Sequence, residues 1–440
     1  MKRARIKPRE RTAIINALRA GVVPRLGLRH IQVGRAQEIT AMVRDIDTLK
    51  DGGAAIRFVI GEYGSGKTFF INLVRLIALE KSMVVLSADL APQRRLHATG
   101  GQTRSLYAEL TRNTSTRTKP NGGALSSVVQ RFVSIAVQEA SRLGTSTDSV
   151  IRNKLAHLQE LTGGFEFANV IAKYWEGHET GNEQLKSNVL RWLRAEFANK
   201  TDARQALGVR TIIDDAGFYD HLKLMSVFVR AAGYSGLLVA LDEMVNLYKL
   251  THSGARNKNF EQILRILNDV LQGTAEHIGF LFGGTPEFLY DTRRGLYSYE
   301  ALQSRLAPNV FARDGLVDYS SPVLNLASLS EEDLFVLLAN IRRVFMGDNI
   351  DALPDKALEG FMAHCSQRIG DAYFRTPRNS VTAFVNMLAV LEQNPGTTWQ
   401  DLVGGIEIAP DTGDDMSDID PRDPSDRAPS SDDELTSFSL

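Results

Sequence analysis

Apolar residues recur along this chain with two periods. Ile39, Met42, Val43, Ile46 and Leu49 fall three or four apart, the spacing of one helical face. The short run Phe58–Ile60 then enters a glycine-rich loop, and the segment beyond it returns to helical spacing. "SMVVLSADL" at 82–90 reads as a buried strand with an acid at its end. Between about residues 100 and 220, helical patterns such as "VVQRFVSIAVQEASRL" and "NVLRWLRAEFANK" alternate with the breaks "KPNGG" and "ELTGG". At 235–250, "SGLLVALDEMVNLYKL" carries an apolar run, Leu237 to Leu241, directly into Asp242 and Glu243. The helix "NFEQILRILNDVLQG" comes next, then another buried strand, "IGFLFGGT", ending at Thr285. Strand, helix and strand in that order predict right-handed crossovers and a parallel sheet, hence an α/β fold. From about residue 330, "SEEDLFVLLANIRRVF" and "NSVTAFVNMLAVLEQN" are helical, and Ser330 with the acids after it gives the first a capped start.

Composition adds size and compartment. With 440 residues and 43% hydrophobic content the chain can fill two or three packed units. A single cysteine, Cys365, excludes an intrachain disulfide framework and fits a reducing, cytoplasmic setting. The basic start "MKRARIKPRER" resembles the head of a signal peptide, but Arg19 and Arg25 break the apolar stretch that a signal peptide needs next, so secretion is not expected. No run approaches the roughly 18 apolar residues that cross a bilayer, so no membrane contact is expected. The eight histidines are scattered without metal-ligand spacing, and no zinc is expected. The formal charge of −1 conceals a division: from Asp411 onward ten acids face two arginines, a net of about −8, which leaves about +7 on the body. A mildly basic body is compatible with nucleic acid, but a spread excess of this size is also common in proteins that bind none.

The loop carries the strongest chemistry. In "FVIGEYGSGKTFFINLV", Gly61, Glu62, Tyr63, Gly64, Ser65, Gly66, Lys67 and Thr68 spell G-x-x-x-x-G-K-[ST] between a strand and a helix. Glycines let successive backbone N–H groups and the helix N-terminus converge on phosphates. Lys67 would reach the β and γ phosphates of a nucleotide such as ATP, and Thr68 would hold Mg²⁺. Asp242, at the end of the second core strand, would complete the metal site, while Glu243, aimed the other way, would polarise an attacking water. The plainer reading makes the doublet acids at a helix start. Thr285 emerges from the neighbouring strand, where its hydroxyl would face the γ phosphate or simply shape the turn "GGTPE".

Arg293, Arg294 and Arg305 lie beyond it, any of which would serve a neighbouring subunit's site or merely lie in solvent. In "GDAYFRTPRNSV", Pro377 and Asn379 mark a helix start, which puts Arg378 in a first turn where positive charge opposes the dipole and calls for an anionic partner; Arg375 is its competitor. Aromatics beside basic residues in "VIAKYWEGHE" and "VLRWLRAEF" offer nucleic-acid stacking, although such spacing more often means core.

The expected division is an N-terminal segment at 1–50 whose helix packs near the nucleotide, an ATPase core at 51–325 with the helical insertion at about 100–220, a helical lid at 326–408, and an acidic, disordered tail at 409–440. The tail's end, "DDELTSFSL", has the composition of a docking peptide.

The P-loop with "IQVGR" upstream, "LLVALDE", Thr285, "SRL" and "PR" together resemble AAA+ (ASCE) P-loop ATPases of the Orc/Cdc6-like and STAND-related branch. The resemblance implies that Val33, Gly34 and Arg35 lie by the adenine, that Thr285 is sensor 1, that Arg305 is the arginine finger and Arg378 sensor 2, with Arg293, Arg294 and Arg375 competing for the last two. It also implies ATP hydrolysis and homo-oligomers formed on ATP. The large insertion departs from the compact family core. A closer resemblance spans nearly the whole chain except the tail: the P-loop segment followed by "ADLAPQRRLHATGGQTRSLYAELTRN" looks like the BrxD-like ATP-binding proteins of BREX phage-defence loci. That resemblance implies ATP-driven work in antiviral defence alongside helicase or other DNA-acting partners, on double-stranded DNA as a motor, loader or remodeller. The alternative is a nucleotide-controlled switch that recruits a protein partner without touching DNA.

Overall fold

The computed structural model describes residues 6–312, 316–347, 353–369 and 377–403. The acidic tail and Arg375 lie outside them. Five strands, β1 Ala55–Ile60, β2 Val84–Asp89, β3 Leu237–Asp242, β4 Ile278–Gly284 and β5 Val323–Asn325, form one parallel sheet in the order β2-β3-β4-β1-β5. Side chains alternate across it with period two. Phe58, Val84, Leu86, Val239, Phe280 and Phe282 enter the larger core, while Val59, Val85, Leu238, Ala240 and Leu281 enter a smaller one on the opposite face. Both faces are therefore dry, which explains strands that read as continuous apolar runs rather than alternating ones.

Helices α1 Pro8–Arg19, α2 Ala36–Lys50 and α3 Lys67–Glu80 come early in the chain. Met42, Ile46 and Leu49 of α2 and Phe70 and Val74 of α3 fill the smaller core. Between β2 and β3 run α4 Gln102–Arg112, α5 Leu125–Leu143, α6 Thr147–Leu155, α7 Gly164–Glu179, α8 Glu183–Leu193, α9 Lys200–Leu207 and α10 Phe218–Ala231. Their apolar faces share one continuous core with the sheet, through residues such as Tyr107, Phe132, Phe167 and Phe228. The aromatics considered for base stacking are spent on this packing: Tyr174, Trp192 and Phe197 are buried, and Trp192 Nε1 donates to the carbonyl of Thr211 at 2.9 Å. The segment leaving β2 is pinned by distant side chains. Asn259 bonds both the N–H and the carbonyl of His97, and the Asp215 carboxylate accepts from the N–H groups of Gly101 and Arg104 at 2.7 Å each, capping α4 from outside its own sequence.

After β3 come α11 Val245–Tyr248 and α12 Ser253–Leu271, and after β4 come α13 Pro286–Tyr290 and α14 Glu300–Leu306. The chain closes with α15 Glu331–Met346, α16 Asp355–Ile369, α17 Pro377–Gln393 and α18 Trp399–Val403. Ser330 caps α15 in a reciprocal box with Asp333, as the sequence leads one to expect. A separate core joins these last helices through Leu334, Leu338, Phe361, Cys365, Phe384 and Leu388, and Ile14 of α1 enters it. The N-terminal helix thus packs on the C-terminal ones.

Candidate nucleotide site

β1 ends at Ile60 and hands the chain to the loop Gly61–Gly66, all at the C-terminal edge of the parallel sheet, where ligands of open α/β sheets bind. Gly64 and Gly66 take φ of 75° and 88°, a region that strains any residue with a Cβ. A Cβ on Gly61 would stand 2.4 Å from Ser65 Oγ. α3 starts at Lys67 with no side-chain cap, so the N–H groups of its first turn remain for an anion. Lys67 Nζ donates to the carbonyls of Gly61 and Glu62, at 2.8 Å each. Burial lowers its pKa, against the opposing pull of Asp242, Glu243, Glu62 and Glu287.

Thr68 Oγ1 donates to Asp242 Oδ2 at 2.7 Å, and the other carboxylate oxygen accepts the N–H of Glu243 at 2.9 Å. This pair joins the two motifs across 174 positions of sequence. Gly283 on β4 leaves room for it, since a Cβ there would lie 2.3 Å from Asp242 Oδ1. Asp242 is buried, whereas Glu243 is exposed with its backbone at φ 59°, in the left-handed region. Asp89, beside Asp242 in the β2–β3 register, has its pKa raised by burial and by that neighbour. Hard oxygen donors on Thr68 and Asp242 next to a phosphate cradle fit Mg²⁺, which takes few protein ligands and keeps its other positions for water and phosphate.

A cavity of about 410 Å³ opens from this edge. Its phosphate end holds Glu62–Thr68, Asp242, Glu243, Gly284, Thr285 and Glu287. Its other end is apolar, with Val23, Pro24, Ile31, Val33, Leu337 and Val381. Thr285 lines it while accepting the N–H of Phe288 at 3.4 Å, so it serves both as cavity wall and as cap of α13. Arg35 lines it too, at φ 59°, and donates to the carbonyls of Ser65 at 3.1 Å and Ala327 at 2.6 Å, which ties the loop to the chain leaving β5. Gly34 stands outside the lining, against the Asp333 carboxylate of α15, where a Cβ would come within 3.0 Å. Arg378 reaches the cavity from the first turn of α17. Its Nη1 donates to Tyr63 Oη at 3.1 Å, and its guanidinium lies 5.6 Å from that ring.

Arg305 lies away from the cavity, exposed on α14, and donates to the carbonyl of Ala301 at 2.8 Å. Arg293 is also exposed. Arg294 is buried against the Tyr248 ring and donates to the carbonyl of Leu250 at 3.2 Å, which makes it part of the core rather than a finger. Sequence reasoning missed the apolar end, because Val23, Leu337 and Val381 come from segments whose pattern signals only packing. It also missed Gly283, whose sole signal is a glycine doublet at the end of a strand.

A parallel sheet whose first strand feeds a glycine loop and a helix N-terminus, with a Thr–Asp contact to the acidic end of β3 across the intervening β4, defines the class: an α/β nucleotide-binding protein of the P-loop kind. The family model of the BREX system ATP-binding proteins BrxC/D matches residues 6–407, and the chain belongs to that family. Its members bind ATP in phage-defence systems. A comparison with curated proteins returns no match. Among the described residues no helix is long and apolar enough to cross a membrane.

Proposed function

We propose that the protein is a Mg²⁺-dependent AAA+ ATPase of phage defence that assembles on ATP in the cytoplasm and works on double-stranded DNA beside helicase-type partners. The observation that carries the hydrolytic part is the bonded Thr68–Asp242 pair with Glu243 one residue on, turned out of the strand at φ 59°. Lys67 is already beside the cradle and exchanges its backbone acceptors for phosphate oxygens. Thr68 and Asp242 would hold Mg²⁺, which would supply positive charge beside the phosphates when bound. Glu243 orients and polarises the water, and Thr285 borders its path. Arg378 turns from Tyr63 toward the γ phosphate of its own site, and exposed Arg305 is the group offered to a neighbour's. DNA-directed work rests on the family and on the basic body, about +7 once the tail is set aside.

A second reading, a nucleotide-controlled switch, is favoured by Arg35 and Arg378, which join the loop to the chain before α15 and to α17. Nucleotide contacts there bias the last helices without any DNA. Steady-state ATP hydrolysis with and without double-stranded DNA, at low and physiological salt, with mass followed by light scattering, separates the two. Turnover stimulated by DNA, weakening with salt and accompanied by assembly on ATP, is the expected result. Tight binding with slow turnover indifferent to DNA overturns the motor in favour of the switch.

A further inference from the structure

The turn after β3 fixes one residue, Glu243, through the peptide groups on both sides of it. The N–H of Glu243 donates to Asp242 Oδ1 at 2.9 Å. Its carbonyl accepts two bonds from a single residue, Asn246, through the backbone N–H at 3.0 Å and through Nδ2 at 3.2 Å. The same Nδ2 also donates to the carbonyl of Leu90 at 2.9 Å, on the chain leaving β2, while the Leu90 N–H donates to the carbonyl of Asp242 at 3.0 Å. Met244 N–H donates to the carbonyl of Gly283 at 2.9 Å. Glu243 is thereby held at φ 59°, where a residue with a Cβ does not rest unless its surroundings over-determine it.

We infer that Asn246 is a positioning residue for Glu243: its amide, shared between the Glu243 and Leu90 carbonyls, holds the left-handed turn that presents the Glu243 carboxylate to the cavity. This rests on Glu243 as the water-orienting group. The geometry is specific to a side-chain amide. An Asn246→Asp change keeps the shape but faces both carbonyls with acceptors, and Asn246→Ser is too short to span them. Since Leu90 is where the chain turns toward α4–α10, the same bond links the hydrolytic turn to the root of that helical segment.

The test uses the full chain, with ATP as the probe, and compares wild type, Asn246→Asp, Asn246→Ser, Glu243→Gln and the double variant Glu243→Gln/Asn246→Ser. Turnover, ATP affinity by titration and thermal midpoint are measured on each. Both Asn246 variants are expected to lose about tenfold or more in kcat, with ATP affinity within about threefold of wild type. The double variant is expected to be no slower than Glu243→Gln, because both changes act on one step. Asn246 variants that turn over within about twofold of wild type while Glu243→Gln is inactive overturn this inference alone. A further loss of about tenfold in the double variant also overturns it, as does unfolding of both single variants, since each makes Asn246 a general structural support. A wild type without turnover, or Glu243→Gln turning over normally, removes the hydrolytic reading and the inference with it.

Discussion

At the phosphate end of the cavity one uninterrupted stretch, Glu62–Thr68, supplies the backbone donors, the ammonium and the hydroxyl, and the ends of β3 and β4 with the turns after them add Asp242, Glu243, Gly284, Thr285 and Glu287. At the apolar end Val23 and Ile31 come from the N-terminal segment, Leu337 from α15 and Val381 from α17, so that this wall exists only when the first and last parts of the chain meet. Polar recognition here is concentrated and local, whereas apolar recognition is dispersed and tertiary. A concentrated end fails when one atom is lost. A dispersed end loses affinity by small steps.

Four substitutions grade that contrast. Glu243→Gln removes the carboxylate proposed to polarise the water and is expected to lower turnover by about 10²–10⁴ while ATP stays bound, measured by phosphate release and nucleotide titration. Unchanged turnover would sink the assignment. Lys67→Ala is expected to weaken ATP binding about 100-fold, since charge-assisted bonds are worth about 1.5–3 kcal/mol each. Calorimetric titration reads this directly. Arg378→Ala, which leaves the loop intact, is expected to weaken ATP about tenfold and ADP less, because only ATP carries a γ phosphate for it. An equal loss for both nucleotides would make Arg378 a structural partner of Tyr63. Leu337→Ala should cost only about threefold, because a half-buried leucine gives the ligand part of its about 0.8 kcal/mol per methylene. If it cost as much as Lys67→Ala, the two ends would not differ in the way described.

The same contrast explains what can be read from sequence. Strands β1 to β4 are short apolar runs bounded by glycine or acid, the phosphate loop is a local code, and Ser330 announces α15, so each is visible in one window of residues. β5, of only three residues, Val323–Asn325, has too little length to carry a period. For Arg378 the helix dipole calls for an anion, and the structure supplies Tyr63, whose hydroxyl and ring serve a guanidinium as well. In the sequence Arg294 is one arginine among several, and only its burial removes it from the candidates. Asn246, a polar residue in an amphipathic stretch, carries no signal at all, since its meaning lies in the Leu90 carbonyl 156 positions away.

One further consequence belongs to Cys365, fully buried in the core that α15, α16 and α17 share with α1, and the sole cysteine of the chain. A thiol-specific dye therefore has a single target, and it reaches that target only in the moments when this core breathes. The labelling rate is an intrinsic clock for the C-terminal helices, needing no engineered tag. Slowing of that clock on adding ATP, relative to ADP, would count in seconds how firmly the nucleotide draws the two ends of the chain together.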